Sequence, residues 1–172
     1  MNLREFHSDH PYPETTVAGK NPAYARAMLS NCAGRNSEMS AVALYFYDHI
    51  ITERDALLSS AFRAIMKVEM VHLELFEKLA LHLGADPRLW EAQTVPQPRM
   101  NYWSPARLPY ATNRKLILQN ALAAERAAIA IYERQQKEIQ DEGVVNVLRR
   151  VLLDEQLHVE LFRALLEQPQ PS

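Results

Sequence analysis

Glu69-Met-Val-His72-Leu-Glu74-Leu75-Phe76 and Glu155-Gln-Leu-His158-Val-Glu160-Leu161-Phe162 are two copies of one segment, 86 residues apart. They share Glu, His, Glu, Leu and Phe, and Leu79 matches Leu165 one turn further on. A single Glu-x-x-His arises by chance roughly half the time in a chain of this kind, so one copy says little. A second pair of segments extends the match. Glu38-Met-Ser-Ala-Val-Ala-Leu-Tyr45 and Glu125-Arg-Ala-Ala-Ile-Ala-Ile-Tyr132 share Glu, two alanines and Tyr, at an offset of 87. Two matches at nearly one offset mark the internal duplication of an αα-hairpin.

Proline and glycine set the helices that carry these segments. No proline lies between 23 and 86 or between 110 and 168. Both stretches are rich in Ala, Leu, Glu and Arg, which favour helix. Asn21-Pro22 is a good N-cap and first helical position. Helix 1 is expected at about 22–53, distorted near Gly34, and helix 2 at about 55–83 after a turn at Thr52-Glu53-Arg54-Asp55. Gly84 stops it. A connection over 84–111 holds Trp90, Tyr102, Trp103 and Tyr110, which are expected to pack on the bundle. Helix 3 runs from near Thr112 to Asp141, Gly143 marks the turn, and helix 4 covers about 144–167. Short, long and short connections give a four-helix bundle with one long crossover between helices 2 and 3, the topology of ferritin-like bundles. Residues 1–21 read as an N-terminal arm that packs on its own bundle or on a second subunit. The domain is then 22–167, with a tail at 168–172.

The repeated polar residues fall where a core belongs. Ile65, Met66, Glu69, His72, Leu73 and Phe76 follow helical i, i+3, i+4, i+7 spacing, as do Val151, Leu152, Glu155, His158, Val159 and Phe162. Glu38 shares a face with Ala41, Val42 and Tyr45, and Glu125 with Ala121, Leu122, Ala128, Ile129 and Tyr132. Four unpaired carboxylates in one core are prohibitive, and no lysine or arginine occupies these inward positions. Two divalent cations would neutralise them, with one neutral imidazole nitrogen for each. Residues i and i+3 lie about 5–6 Å apart at Cβ, so a Glu can reach both metals while its His binds one. A Glu from each of two helices plus Glu-x-x-His from each of the others is the dimetal arrangement of such bundles. The expected ligands are Glu38, Glu69, His72, Glu125, Glu155 and His158, each glutamate near mid-helix. The metals are iron or manganese, since both accept this donor set.

With these residues in hand, the chain resembles the rubrerythrin branch of the ferritin-like superfamily over about residues 22–167. The resemblance implies an all-α, left-handed four-helix bundle, a carboxylate-bridged dimetal site that is usually iron, reaction with hydrogen peroxide or O2, and dimers or larger assemblies. Two features depart from that pattern. Rubrerythrins carry a four-cysteine rubredoxin domain, and this chain has one cysteine, Cys32. They also carry a further glutamate three residues after the helix 3 ligand, where Ala128 stands here. The six-residue set is closer to that of bacterioferritin, and any electron donor must be external.

Other side chains have two readings. Tyr45 and Tyr132 are core packing, or outer partners of the ligands with a redox role. Asp154 is solvated, or it hydrogen-bonds the free nitrogen of a ligand histidine on a neighbouring helix. Glu74 and Glu160 point away from the centre. His49 lies about 16 Å along the Glu38 face, too far to be a ligand. His7, His10 and His82 have no partner legible in sequence, and Cys32 reads as a packed apolar residue. Val42, Leu44, Phe46, Tyr47, Ile50 and Ile51 make helix 1 apolar almost all round, which predicts a homodimer through helices 1 and 2.

The chain has 172 residues and a net charge of −2. Those figures suit one soluble domain and give no reason to expect nucleic acid or an anionic membrane as partner. No apolar run reaches the ~20 residues that span a bilayer. A polar N-terminus and a single thiol lead to an expected cytoplasmic location. Three function classes follow. The first is a diiron oxidase or peroxidase acting on hydrogen peroxide or O2 with an external electron donor, or, with manganese, a catalase-like dismutase. The second is a ferroxidase that feeds iron storage. The third is a structural bundle without turnover.

Overall fold

The computed structural model describes residues 6–89 and 102–168. The expected Trp90, Met1–Glu5 of the arm and residues 169–172 of the tail lie outside the described residues. Five α-helices build four rods: α1 (Pro22–Ala33), α2 (Glu38–Ile51), α3 (Ala56–His82), α4 (Arg114–Glu138) and α5 (Glu142–Glu167). Among the described residues there is no strand, and the bundle has the ferritin-like topology the sequence predicts.

Helix 1 is not one helix. α1 ends at Ala33, where the Gly34 amide closes on the Ser30 carbonyl, and α2 starts again after the N-cap Ser37. A Cβ at Gly34 would stand 2.5 Å from the Ser30 carbonyl oxygen, so the exit from α1 depends on glycine there. The break corrects a second expectation, because Glu38 is the first residue of α2 and not a mid-helix residue. The two pieces still make one rod, and both pack on α3.

The remaining boundaries follow capping chemistry. Asn21, Asp55, Asn113 and Asp141 each accept hydrogen bonds from first-turn amides of α1, α3, α4 and α5. Asp141 thereby starts α5 at Glu142, two residues before the position expected from Gly143. The reason for glycine at 143 is the arm, since a Cβ there would overlap the carbonyl oxygen of Thr16.

Two apolar clusters fill the bundle, one at each end. One joins Met28, Leu29 and Cys32 of α1 to Phe76 and Leu79 of α3 and to Leu148 and Val151 of α5. The other joins Leu44 of α2 to Phe62 and Ile65 of α3, Leu118 of α4 and Phe162 of α5. A belt of buried charge separates them. In the crossover, the Trp103 indole N–H donates to Ser40 Oγ at 3.0 Å and Tyr110 meets Tyr47 edge-on, so these two aromatics pack as expected.

The arm lies on its own bundle, along α3 and α5. The Ala18 amide donates to Asp141, the Asn21 amide to the Leu83 carbonyl, and His82 Nδ1 to the Thr15 carbonyl. Among the described residues no helix is long and apolar enough to cross a membrane.

Candidate metal centre

All six expected ligands meet in the belt between the two cores, and each is at most 3% exposed. They form two donor sets: Glu38, Glu69, His72 and Glu155, and Glu69, Glu125, Glu155 and His158. Within each set, one donor atom per residue lies within 4.8 Å of every other. Glu69 and Glu155 belong to both sets, as residues that bridge two ions would. The i, i+3 spacing puts His72 Nδ1 at 3.2 Å from Glu69 Oε2 and His158 Nδ1 at 3.2 Å from Glu155 Oε2. The two hairpins also cross-connect, with His158 Nδ1 at 3.0 Å from Glu69 Oε1.

Burial and the neighbouring groups set opposite directions for the titratable groups of this belt. Burial, then the neighbouring Glu69 and Glu155, holds the Glu38 and Glu125 carboxyls well above the usual range, which favours their protonated forms. Burial also opposes ionisation of Glu69, but hydrogen bonds from His158 and His72 overcome it and lower its pKa. Burial alone would depress both imidazoles. For His72, the Glu155 charge and hydrogen bonds to Asp154, Glu155 and Glu69 outweigh it, and for His158, hydrogen bonds to Glu125, Glu155 and Glu69 do so. Without metal, the raised imidazoles and the lowered Glu69 and Glu155 compensate one another, while Glu38 and Glu125 lean to the neutral form.

The donor set fits a pair of divalent cations. Oε1 of Glu69 and Oε1 of Glu155 are buried and make no well-aligned hydrogen bond, their nearest donors being His158 Nδ1 at 3.0 Å and His72 Nδ1 at 3.3 Å, and acceptors left in that way suit a cation. Two divalent ions would displace the protons of both histidines, Glu38 and Glu125 and leave the belt neutral.

The tyrosines of the repeat are partners of the carboxylates. Tyr45 donates to Glu125 Oε1 at 2.5 Å, and Tyr132 donates to Glu38 Oε1. Each hydroxyl crosses to the glutamate of the other hairpin. Burial, then the carboxylate each one faces, raises both phenols well above the usual range.

Asp154 takes the outer-partner reading of the sequence. His72 Nε2 donates to its Oδ2 at 3.0 Å. The same carboxylate accepts from the Ser8 amide and the Tyr12 hydroxyl, each at 2.6 Å, and pairs with Arg150 at 2.8 Å. His158 Nε2 donates to the Phe6 carbonyl at 2.9 Å. Sequence reasoning missed Phe6, Ser8, Tyr12 and Arg150. Arg150 carried a signal, since it lies one turn before Asp154 on a helix whose other face is apolar. A backbone carbonyl such as that of Phe6 leaves no trace in sequence.

On the opposite side, between α2 and α4, a cavity of about 580 Å3 opens to the surface. Glu38, Glu69, Glu125 and Glu155 form its floor, Ala41, Ala124 and Ala128 its walls, and Arg35 and Asn36 part of its rim. His49 is not part of the centre, as expected, and bonds Ser59 instead.

Fold and site together define a ferritin-like helical bundle with a carboxylate and histidine cluster able to hold a metal pair. The rubrerythrin family model matches residues 32–166, and the chain belongs to that family. No curated protein sequence matches it. Among solved structures, the manganese catalase KatB of Anabaena superposes with a TM-score of 0.81 at 25% identity, over 97% of this chain and 84% of that one. Bacterioferritin BfrA of Mycobacterium tuberculosis gives 0.66 at 19% identity over 87% of each chain. The bacterioferritin of Rhodobacter capsulatus gives 0.65 at 20% over 86% of each.

Proposed function

We propose that this protein is a dimetal enzyme that removes hydrogen peroxide, with Glu38, Glu69, His72, Glu125, Glu155 and His158 as ligands. The observation that carries the reading is the pair of four-donor sets sharing Glu69 and Glu155. When bound, the metal pair supplies the two electrons that split a peroxide O–O bond and takes two back from a second peroxide. The chain's own residues do the rest. The α2/α4 cavity admits the small oxidant to the carboxylate floor. Glu38 and Glu125, each held by a tyrosine hydroxyl, stand at that floor as carboxylates able to accept or return a proton. The covered histidine side keeps water from the imidazoles.

Dismutation of two peroxides to water and O2 needs no separate reductant. The likeness to a manganese catalase over 97% of the chain also supports manganese and dismutation. The second reading is a diiron peroxidase or oxidase using peroxide or O2 with an external electron donor, supported by membership of the rubrerythrin family. Metal analysis of protein from its host, then peroxide assays on that form, separates the two. Manganese and O2 release with no added reductant support dismutation. Iron and peroxide loss that requires a reductant support the second reading. Far less than two ions per chain after anaerobic reconstitution overturns both.

We also propose a homodimer through α2 and α3, because Phe46, Ile50 and Leu57 are exposed there. A concentration-independent monomer mass in light scattering overturns it, and a closed many-subunit shell would favour storage. The single buried thiol fits a cytoplasmic location.

A further inference from the structure

We infer that the N-terminal arm is part of the metal centre: residues 6–12 hold both ligand histidines from behind, so arm docking and metal binding are one coupled equilibrium. This rests on the dimetal reading.

The two imidazoles depend on the arm by different routes. His158 Nε2 donates directly to the Phe6 carbonyl, whose position is fixed by a ring 1% exposed in the core cluster that includes Phe62 and Phe162. His72 Nε2 donates to Asp154, and Asp154 is itself held by the Ser8 amide and the Tyr12 hydroxyl. Arg150 clamps the assembly. Its Nε donates to the His10 carbonyl at 2.6 Å, its Nη2 to the Ser8 carbonyl at 2.9 Å, and its guanidinium lies 4.0 Å over the Tyr12 ring. The Tyr12 ring also meets His72 edge-on.

These bonds decide which nitrogen faces the metals. A proton kept on Nε2 by an acceptor behind the ring leaves Nδ1 as the lone pair directed at the carboxylates. Without the arm, His158 loses its acceptor, Asp154 loses two of its donors, and Arg150 loses both carbonyls. Glycine at position 143 leaves room for the arm's backbone over the start of α5, so docking is provided for at a second point, far from the ligands. Loss of such outer partners typically costs about 10–100-fold in metal affinity. Linkage makes the coupling reciprocal: the factor by which the docked arm raises metal affinity is the factor by which metal suppresses arm opening.

The experiment uses manganese(II) as probe on the full chain, on Tyr12→Phe and on a truncation that begins at Pro13. Hydrogen exchange of the peptide covering residues 6–12 is measured with and without metal, and dissociation constants come from chelator competition. Full-length protein should bind two ions and exchange its arm about 10–100-fold more slowly when loaded, and the truncation should bind more weakly by a similar factor. Tyr12→Phe keeps the ring and should show a smaller loss of affinity with an altered cobalt(II) absorption spectrum. Leu29→Ala, in the far core, should lower thermal stability and leave that spectrum unchanged. If full-length protein binds two ions while arm exchange ignores metal, and Tyr12→Phe keeps affinity and spectrum, the inference is wrong and the dimetal reading stands. If full-length protein binds no metal, the dimetal reading fails and the inference falls with it.

Discussion

The two sides of the candidate centre are built in opposite ways. On the α3/α5 side the arm closes over the histidines, and a polar cluster stands behind them: Asp154, fully buried, meets His72, Tyr12, Ser8 and Arg150. On the α2/α4 side small alanines stand back from the glutamates and leave a cavity of about 580 Å3. One side fixes ligands, and the other admits a reactant. A mobile ligand costs affinity and a sealed floor costs turnover, so a reactive centre needs both within one bundle.

The largest test of that division removes a residue common to both donor sets. Glu69→Ala should abolish binding of both ions, measured by metal analysis after reconstitution. It should also destabilise the metal-free protein by about 3–5 kcal/mol, because it removes the buried carboxylate that both imidazoles hydrogen-bond. Retention of two ions in this variant would show that the sets do not share Glu69.

Next in size is the dependence of metal affinity on pH. The imidazoles of His72 and His158 and the carboxyls of Glu38 and Glu125 have raised pKa values, which favour their protonated forms in the metal-free protein. Metal must displace those protons, so affinity rises with pH and falls as pH drops, with about four protons released per metal pair. Calorimetry of manganese(II) binding in buffers of different ionisation enthalpy counts them. Release of two or fewer would mean that Glu38 and Glu125 are ionised before metal arrives.

The two sides also differed in how far the sequence disclosed them. The six candidate ligands, both tyrosines and the crossover topology were legible because a duplication repeats them and because helical spacing puts charge on apolar faces. Gly34 hinted at the break in helix 1, but its completeness depends on Ser37 capping a new helix, a local competition that periodicity does not register. The arm was read as a segment that packs on its own bundle or on a second subunit, with no link to the histidines. Its role depends on backbone groups of Phe6 and Ser8, which any residue except, at the amide, proline could supply. The cavity was unreadable for a related reason: alanine on an amphipathic helix suits close packing and an open wall equally well.

Narrowing the open side should impair entry and nothing else. Ala124→Phe places a ring in the cavity wall and replaces no candidate ligand. Its kcat/KM for hydrogen peroxide should fall about tenfold, equivalent to about 1.4 kcal/mol, with metal content and arm exchange unchanged. An unaltered kcat/KM would mean that peroxide reaches the metals by another route.

The smallest effect concerns the second buried aspartate. Asp48 on α2 is 2% exposed, like Asp154, but among the described residues its carboxylate has no hydrogen-bond or ion-pair partner. Burial pushes its pKa up to about 7, whereas hydrogen bonds from His72 and Tyr12 outweigh burial and lower that of Asp154. A raised carboxyl pKa means that the folded state holds its proton more tightly than the unfolded state does. Its cost to stability is absent below about pH 4, grows as pH rises towards 7, and is then constant. Asp48→Asn should remove that slope. Each tenfold rise in proton affinity on folding costs the ionised state about 1.4 kcal/mol, but a buried amide without partners gives back about 1–3 kcal/mol, so the expected net gain is about 1–3 kcal/mol at pH 8. At pH 4 the substitution should be neutral or slightly destabilising. Urea melts of metal-free protein at the two pH values measure it. An equal effect at both would show that Asp48 is ionised throughout, and that the open side solvates its carboxylates better than its geometry indicates.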